Sequence, residues 1–401
     1  MISAEEALSL ILENTKLTDK SQKIELLQSK GYVLAEDITT DRDYPPFHRS
    51  TMDGYAVHSS FFDSDQFEET GSILAGSRII PPYDKNKRQA IRIMTGAAVP
   101  EHFDTVVRIE DTQTDTSDGK THVRILKLPK PGANIARRGE DALRGRIIAC
   151  KNSLIGEPVL SAAAGVGKTE LLVRSLPRIS LISTGDEIVK AGATPEPNQI
   201  RDSNSVCLRS HLLTWNILPQ KMYLCPDDPE ILLEKVRLSL DADFLIVSGG
   251  VSMGDADWMP GIFEKVGAKK IFHGTAIRPG KPLWFGKKEN TLIFGVPGNP
   301  FSCSVAFKIF IEESIRRFLG LEKRQRLTFP LGENRRKKHP LTEYFRAKLS
   351  REENQTRIFA VPHHGSGDFI SSIDSGGLGL HPADRDEICQ NDWIEFISWD
   401  D

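Results

Sequence analysis

The sequence predicts a multidomain protein of the α/β-plus-β class, with one three-layer α/β segment and β-rich segments on either side of it. Three observations carry this. Short apolar runs at Ile179–Ile182, Phe244–Val247 and Leu292–Phe294 each end in a polar, Gly-containing turn and are followed by a helix-like pattern. The segment from Asp43 to Arg138 is instead broken by turn pairs such as Pro45-Pro46, Pro81-Pro82 and Asp118-Gly119. After about Lys323 helical periodicity stops, and Tyr344–Leu349, Arg357–Val361 and Trp393–Trp399 read as short strands of a small barrel or sandwich.

In chain order, the acidic stretch Ser3-Ala4-Glu5-Glu6 predicts a capped helix over about Ala4–Ile11, not a basic signal peptide. A second helical stretch is expected near Ser21–Leu27 and a strand near Tyr32–Glu36. Gly145–Val173 returns to β texture. Within the α/β segment, helices are expected at Ser205–Leu213, Pro229–Leu240, Pro260–Lys265 and Pro300–Leu319. Asn299 and Pro300 form a good N-cap and N1 pair for the last of them.

A length of 401 residues exceeds one ordinary core. Hydrophobic content of 39% and charged content of 27% describe a globular chain, and a net charge of -3 gives no global attraction to nucleic acid or acidic membranes. No apolar run approaches the ~18 residues of a membrane span. The 5 cysteines are widely spaced with no CxxC, as expected of a reduced, cytoplasmic protein.

The turns after the apolar runs are Ser183-Thr184-Gly185-Asp186-Glu187, Ser248-Gly249-Gly250-Val251-Ser252 and Gly295-Val296-Pro297-Gly298-Asn299-Pro300. In an open α/β sheet such turns gather at the carboxyl edge, where ligands bind. Their bare amides suit phosphate and their carboxylates suit a hard cation. Asp255 and Asp257 follow the Gly249-Gly250 turn, and Asp186 and Glu187 end another strand. One of the latter can serve as a helix cap, but four carboxylates exceed what capping needs, which favours Mg²⁺ binding or proton transfer. Arg278 and Lys281 flank Pro279-Gly280, a stiff turn on which two cations can face one anion; the alternative is a solvated turn. Ala162–Thr169 resembles a P-loop, but Ala162 replaces the first glycine and a strand, not a helix, is expected after Thr169. A turn between strands is the expectation there. His363-His364 fits no zinc template and reads as an exposed loop. Asp53-Gly54 reads as a hairpin turn.

Taken together, Pro46-Phe47 with Ser50–Val57, Met94–Pro100 with Glu110-Asp111, Asn134–Asp141, Pro177–Ile188, Asp243–Asp257, Arg278–Pro282 and Gly295–Pro300 resemble, in family order, the molybdopterin molybdenumtransferases, the MoeA family that also supplies the E domain of gephyrin. The resemblance implies an elongated N-terminal domain of helix and strands (1–42 and 143–176), a β-rich insert (43–142), an α/β molybdopterin-binding domain (177–322) and a C-terminal β-barrel (323–401). It implies a homodimer that inserts molybdate into the dithiolene of adenylyl-molybdopterin with Mg²⁺-dependent release of AMP. Its cleft is expected between the α/β domain of one subunit and the insert of the other. Transient contact with a molybdopterin adenylyltransferase and with molybdoenzyme chaperones is also implied. Carried over by position, the catalytic set is Asp53, Thr95, Asp141, Glu187, Asp228, Asp257 and Lys281. Of these Glu187, Asp228 and Asp257 are the expected Mg²⁺ ligands. The substrate-binding set is Arg137, Ser248, Gly249, Gly250, Ser252, Arg278, Pro297, Gly298, Asn299 and Pro300. Lys281 and Arg278 are expected to neutralise the pyrophosphate or an oxyanion. The chain departs from the family pattern at Arg278, usually Lys, at Phe47-His48-Arg49-Ser50-Thr51, and at Asp374–Leu380; no site residue is assigned to the last domain. A single-domain adenylyltransferase and a non-catalytic gephyrin-like scaffold are the alternative functions. The first has no use for the insert, and the second no use for the carboxylates and cations.

Overall fold

The structure is a computed structural model, and it describes residues 1–252, 257–352 and 354–400. The chain divides into two compact units, one of Met1–Glu36, Asn152–Gly156 and Glu170–Asp401, the other of Asp37–Lys151 and Glu157–Thr169.

The first unit is built on a six-stranded sheet. Lys221–Cys225, Ile179–Thr184, Phe244–Ser248 and Thr291–Val296 run parallel in that order, and Trp284–Lys288 and Lys269–His273 extend the sheet antiparallel. Every residue of the Ile179–Thr184, Phe244–Ser248 and Thr291–Val296 strands is buried, which is why they read as continuous apolar runs. Alternate side chains feed two cores. Ile179, Leu181, Phe244, Ile246 and Phe294 pack with Leu208, Leu212, Phe301 and Phe307 and with Ala7 and Ile11 of the first helix. On the other face Ile182, Leu245, Val247 and Ile293 pack with Leu232, Val236, Met259 and Phe263. This is the expected three-layer segment.

The helices start and stop where their capping residues place them. Ser3 accepts a bond from the Glu6 amide and opens Ala4–Asn14, one turn longer than expected. Asn204–Leu213, Pro229–Ser239 and Met259–Lys265 match their expected positions closely. The last helix runs Pro300–Ala306, a π-turn over Phe307–Ile311, then Glu312–Leu319, and stops at Gly320 with φ 81°.

Two local readings in the first unit need correction. Ser21–Glu25 is a strand, not a helix; it pairs antiparallel with Glu170–Arg174, whose Leu171 and Val173 lie in the interior. A ladder partner far along the chain overrides local helical preference. The strand expected at Tyr32–Glu36 reduces to isolated bridges from Val33 to Leu154 and from Leu34 to Val173.

The C-terminal strands form a second six-stranded sheet, ordered Ile277–Arg278, Thr342–Glu352, Gly377–His381, Trp393–Ser398 and Leu327–Pro330, with Gln355–Ala360 beside Thr342–Glu352. One of its strands, Ile277–Arg278, comes from the α/β segment and pairs Arg278 with Glu343.

The second unit holds the β-rich insert. Its main sheet is ordered Thr105–Arg108, Gly54–Val57, Gln89–Ile93, Gln66–Ile73, Lys120–Ile125 and Thr112–Ser117. Asp53-Gly54 is not a hairpin turn, because the strands on either side join different sheets: Arg49–Ser50 pairs with Ile135–Ala136, whereas Gly54–Val57 pairs with Gln89–Ile93 and Thr105–Arg108. The P-loop-like stretch is also not a turn between strands. Ala162–Gly165 closes the helix Glu157–Gly165, and a strand, Glu170–Arg174, does follow it.

Candidate active site

The three parallel strands end level, with Ser183 opposite Ser248 and Ser248 opposite Val296. Their turns therefore open on one edge, and there they line a cleft of about 1040 Å³. Gly249 makes the closest approach. It holds φ +97°, and a Cβ there would lie 2.4 Å from the Thr184 carbonyl oxygen of the neighbouring strand. Only a glycine brings these two strand ends so close.

Nine of the expected site residues line this cleft: Glu187, Gly249, Gly250, Ser252, Asp257, Pro297, Gly298, Asn299 and Pro300. Asp255 lies outside the described residues. Ser248 is buried beneath, its hydroxyl taking a bond from Asn204 Nδ2 at 2.8 Å. Asn299 occupies the N-cap position as expected, but its Nδ2 donates to Ser366 Oγ at 3.1 Å rather than capping the helix.

Other assignments land differently. Asp228 is the N-cap of Pro229–Ser239, its Oδ1 accepting from the Glu230 and Ile231 amides at 2.9 Å each. The neighbouring Asp227 is the one that lines the cleft, with Thr184 Oγ1 donating to it at 2.6 Å. Asp186 is turned away to accept from the Asp227 amide at 3.0 Å. The Arg278–Lys281 turn contributes Pro282 to the lining, while Arg278 and Lys281 are exposed. Beside Arg278, burial by itself would raise the Glu343 carboxyl, but the Arg335 fork outweighs it and holds the group below the usual carboxylate range.

Asp202, Asn204, Asp227, Gly367 and Phe369 line the cleft and were not expected there. Asp202 and Asn204 sit in the polar run before a helix, where capping explains their presence equally well. Gly367 and Phe369 bring the 363–372 loop of the last domain into the lining, where no site residue was assigned. Buried Arg346 organises that loop: Nε donates to Ser372 Oγ at 3.0 Å, Nη1 to the Gly365 carbonyl at 3.4 Å, and Nη2 to the Asp368 carbonyl. Its guanidinium lies 3.6 Å from the centre of the Phe301 ring. The Asp368 carboxylate accepts the Ser371 and His364 amides, which pull its pKa down to about 2. His363 and His364 are exposed in the same loop.

The remaining expected residues belong to the second unit. Asp53 Oδ1 accepts from the Thr95 amide at 2.6 Å and from Thr95 Oγ1 at 2.8 Å, and these bonds hold its carboxyl below the usual range. The Arg49–Ser50 strand runs between this turn and Ile135–Ala136, so Asp53, Thr95 and Arg137 share one edge of the unit. The Arg137 amide donates to Glu140 Oε2 at 2.6 Å. Asp141 lines a separate hollow of about 420 Å³ with Tyr44, Arg146 and Gly165.

No group of three or more His, Cys, Asp or Glu placed to hold a metal occurs among the described residues. Glu187, Asp227 and Asp257 all face the cleft, and their oxygen chemistry fits Mg²⁺, which needs only one or two carboxylates and keeps its waters.

Fold and cleft define a multidomain α/β protein with a cleft opening at level parallel strand ends. Residues 2–167 match the MoeA N-terminal region (domains I and II), 180–317 a probable molybdopterin binding domain, and 328–399 the MoeA C-terminal region (domain IV). The chain is 32% identical to the molybdopterin molybdenumtransferase of Bacillus subtilis, covering 91% of this chain and 86% of that one. It is 31% identical to that of Synechococcus elongatus, covering 99% and 100%. The crystal structure of a molybdopterin biosynthesis MoeA protein from Pyrococcus horikoshii superposes with a TM-score of 0.79 at 27% identity, covering 100% of this chain and 99% of that one. The chain belongs to the molybdopterin molybdenumtransferase family and is a transferase of molybdenum cofactor biosynthesis.

Proposed function

We propose that the cleft binds adenylyl-molybdopterin and molybdate, passes molybdenum to the pterin dithiolene and releases AMP. The observation that supports this most is the meeting of the glycine turns Gly249-Gly250 and Pro297-Gly298 with the carboxylates Glu187, Asp227 and Asp257 on one edge. Backbone N–H groups bind phosphate without desolvating a side-chain charge. Each oxo group that leaves molybdate as water takes up two protons, drawn from solvent and relayed by the one of Glu187 and Asp257 not bound to the cation. One or two of Glu187, Asp227 and Asp257 would hold Mg²⁺ together with water, and the ion would supply charge neutralisation at the phosphates. Asp228, with one oxygen committed to its helix, contributes at most the other. Lys281 and Arg278 add cationic charge at the rim.

The reading extends to a four-domain subunit in a homodimer, with Asp53, Thr95, Arg137 and Asp141 offered to the partner's cleft. It places the protein in the cytoplasm, with an adenylyltransferase and molybdoenzyme chaperones as its transient partners. No helix among the described residues is long and apolar enough to cross a membrane. The test is molybdate-dependent cofactor formation by the purified chain. Asp257→Ala is expected to lower it ~100-fold or more at unchanged melting temperature, the scale of one lost acid–base group. ATP-dependent adenylylation without molybdate transfer, or no activity at all in the native chain, would overturn the reading in favour of an adenylyltransferase or a scaffold.

A further inference from the structure

Asn204 opens the helix Asn204–Leu213, and nothing in the proposed chemistry uses it. It is 4% exposed, yet it is part of the cleft lining. Its Nδ2 donates to Ser248 Oγ at 2.8 Å and to the Gly298 carbonyl at 2.7 Å, so one amide spans the ends of two different strands. The Gly298 oxygen can only accept, which fixes the nitrogen on that side. The amide oxygen Oδ1 is buried and has no hydrogen-bond partner among the described residues. Two positions earlier, Asp202 Oδ1 accepts from Ser183 Oγ at 3.3 Å and from the Ser205 amide at 3.0 Å. Asp202 and Asn204 together therefore reach the ends of all three central parallel strands.

An unpaired buried oxygen costs stability, and a smaller or apolar side chain would avoid that cost. Such departures concentrate where function overrides packing. The two turns that Asn204 spans also touch: a Cβ on Gly298 would lie 3.7 Å from the Gly249 Cα. The Gly249 amide is held by the Val296 carbonyl at 3.2 Å, so the Gly250 and Gly298 amides can serve one ligand together only while this spacing holds, and misplacing such binding groups weakens the complex.

We infer that Asn204 is a positioning residue for the transfer reaction, setting the Gly249-Gly250 turn against the Gly298 turn so that both engage one phosphate-bearing ligand. The inference rests on the proposed function and adds to it the element that aligns the phosphate-binding backbone. Two variants of the full chain test it. Asn204→Asp keeps the shape but sets an oxygen against the Gly298 carbonyl; Asn204→Ala removes the amide. Both are expected to raise KM for adenylyl-molybdopterin at least tenfold, to change kcat less than threefold, and to melt within a few degrees of the native chain. A native KM in Asn204→Asp would overturn the inference. So would unfolding of both variants, or a fall in melting temperature at unchanged KM, since each makes the residue structural. Absence of molybdate transfer in the native chain would instead overturn the proposed function itself.

Discussion

Gly249 concentrates the residue-scale argument in one atom. Its φ of +97° and the 2.4 Å clash that a Cβ would make with the Thr184 oxygen are independent obstacles to any side chain. Gly249→Ala should cost about 1–3 kcal/mol and part the two strand ends. A thermal melt checks the first effect and ligand affinity the second; a native-like variant in both would mean that the turn relaxes freely. That this glycine lines the cleft was legible from its place after an apolar run. The choice between Asp227 and Asp228 was not. Adjacent carboxylates look alike in a sequence, and only the helix axis decides which one caps and which one faces the cleft. Asp202 and Asn204 were hidden in the same way, inside a run that ordinary capping explains.

At the scale of elements, the 363–372 loop depends on Arg346. Three donors of one planar group fix three points of that loop, a geometry that an ammonium cannot reproduce. Arg346→Lys is expected to cost about 1.5–3 kcal/mol and to raise amide exchange over residues 364–371. Unchanged exchange there would mean that the Ser366 contacts to Asn299 and Phe301 suffice alone. A second element-scale prediction concerns the Asn204–Leu213 helix, whose His211 stacks on Phe307 at 4.8 Å. Burial, assisted by the Lys308 charge, lowers the His211 pKa from 6.5 to about 4. Between those values the unfolded chain binds a proton that the folded chain refuses. The stability is thus fully present above the unfolded value and declines as pH falls toward about 4, by on the order of 1–3 kcal/mol. His211→Phe should flatten the melting temperature between pH 7 and pH 4.5; an unchanged slope would assign the acid sensitivity to other groups. The long buried strands and capped helices were readable because pattern and burial coincide in them. The Ser21–Glu25 strand was not, since four of its five residues are exposed and its partner lies far away in sequence.

For the whole molecule, the proposed shared cleft makes a prediction that no single subunit can satisfy. Asp53→Ala and Asp257→Ala chains should each be inactive alone. Mixed, with subunit exchange verified, they should recover up to about a quarter of native activity, because half of the assemblies pair unlike chains and each of these holds one whole cleft. No recovery would mean that each chain builds its site alone. The shared assembly is an expectation from family resemblance alone, since composition and periodicity say nothing about which copy supplies a residue. The borrowed strand Ile277–Arg278 has a further consequence. It hydrogen-bonds to the C-terminal sheet while its continuation, Pro279 to Pro282, reaches the cleft of the α/β segment. The last domain is therefore not a detachable accessory: a chain cut after residue 322 loses the strand edge against which its cationic turn is aligned.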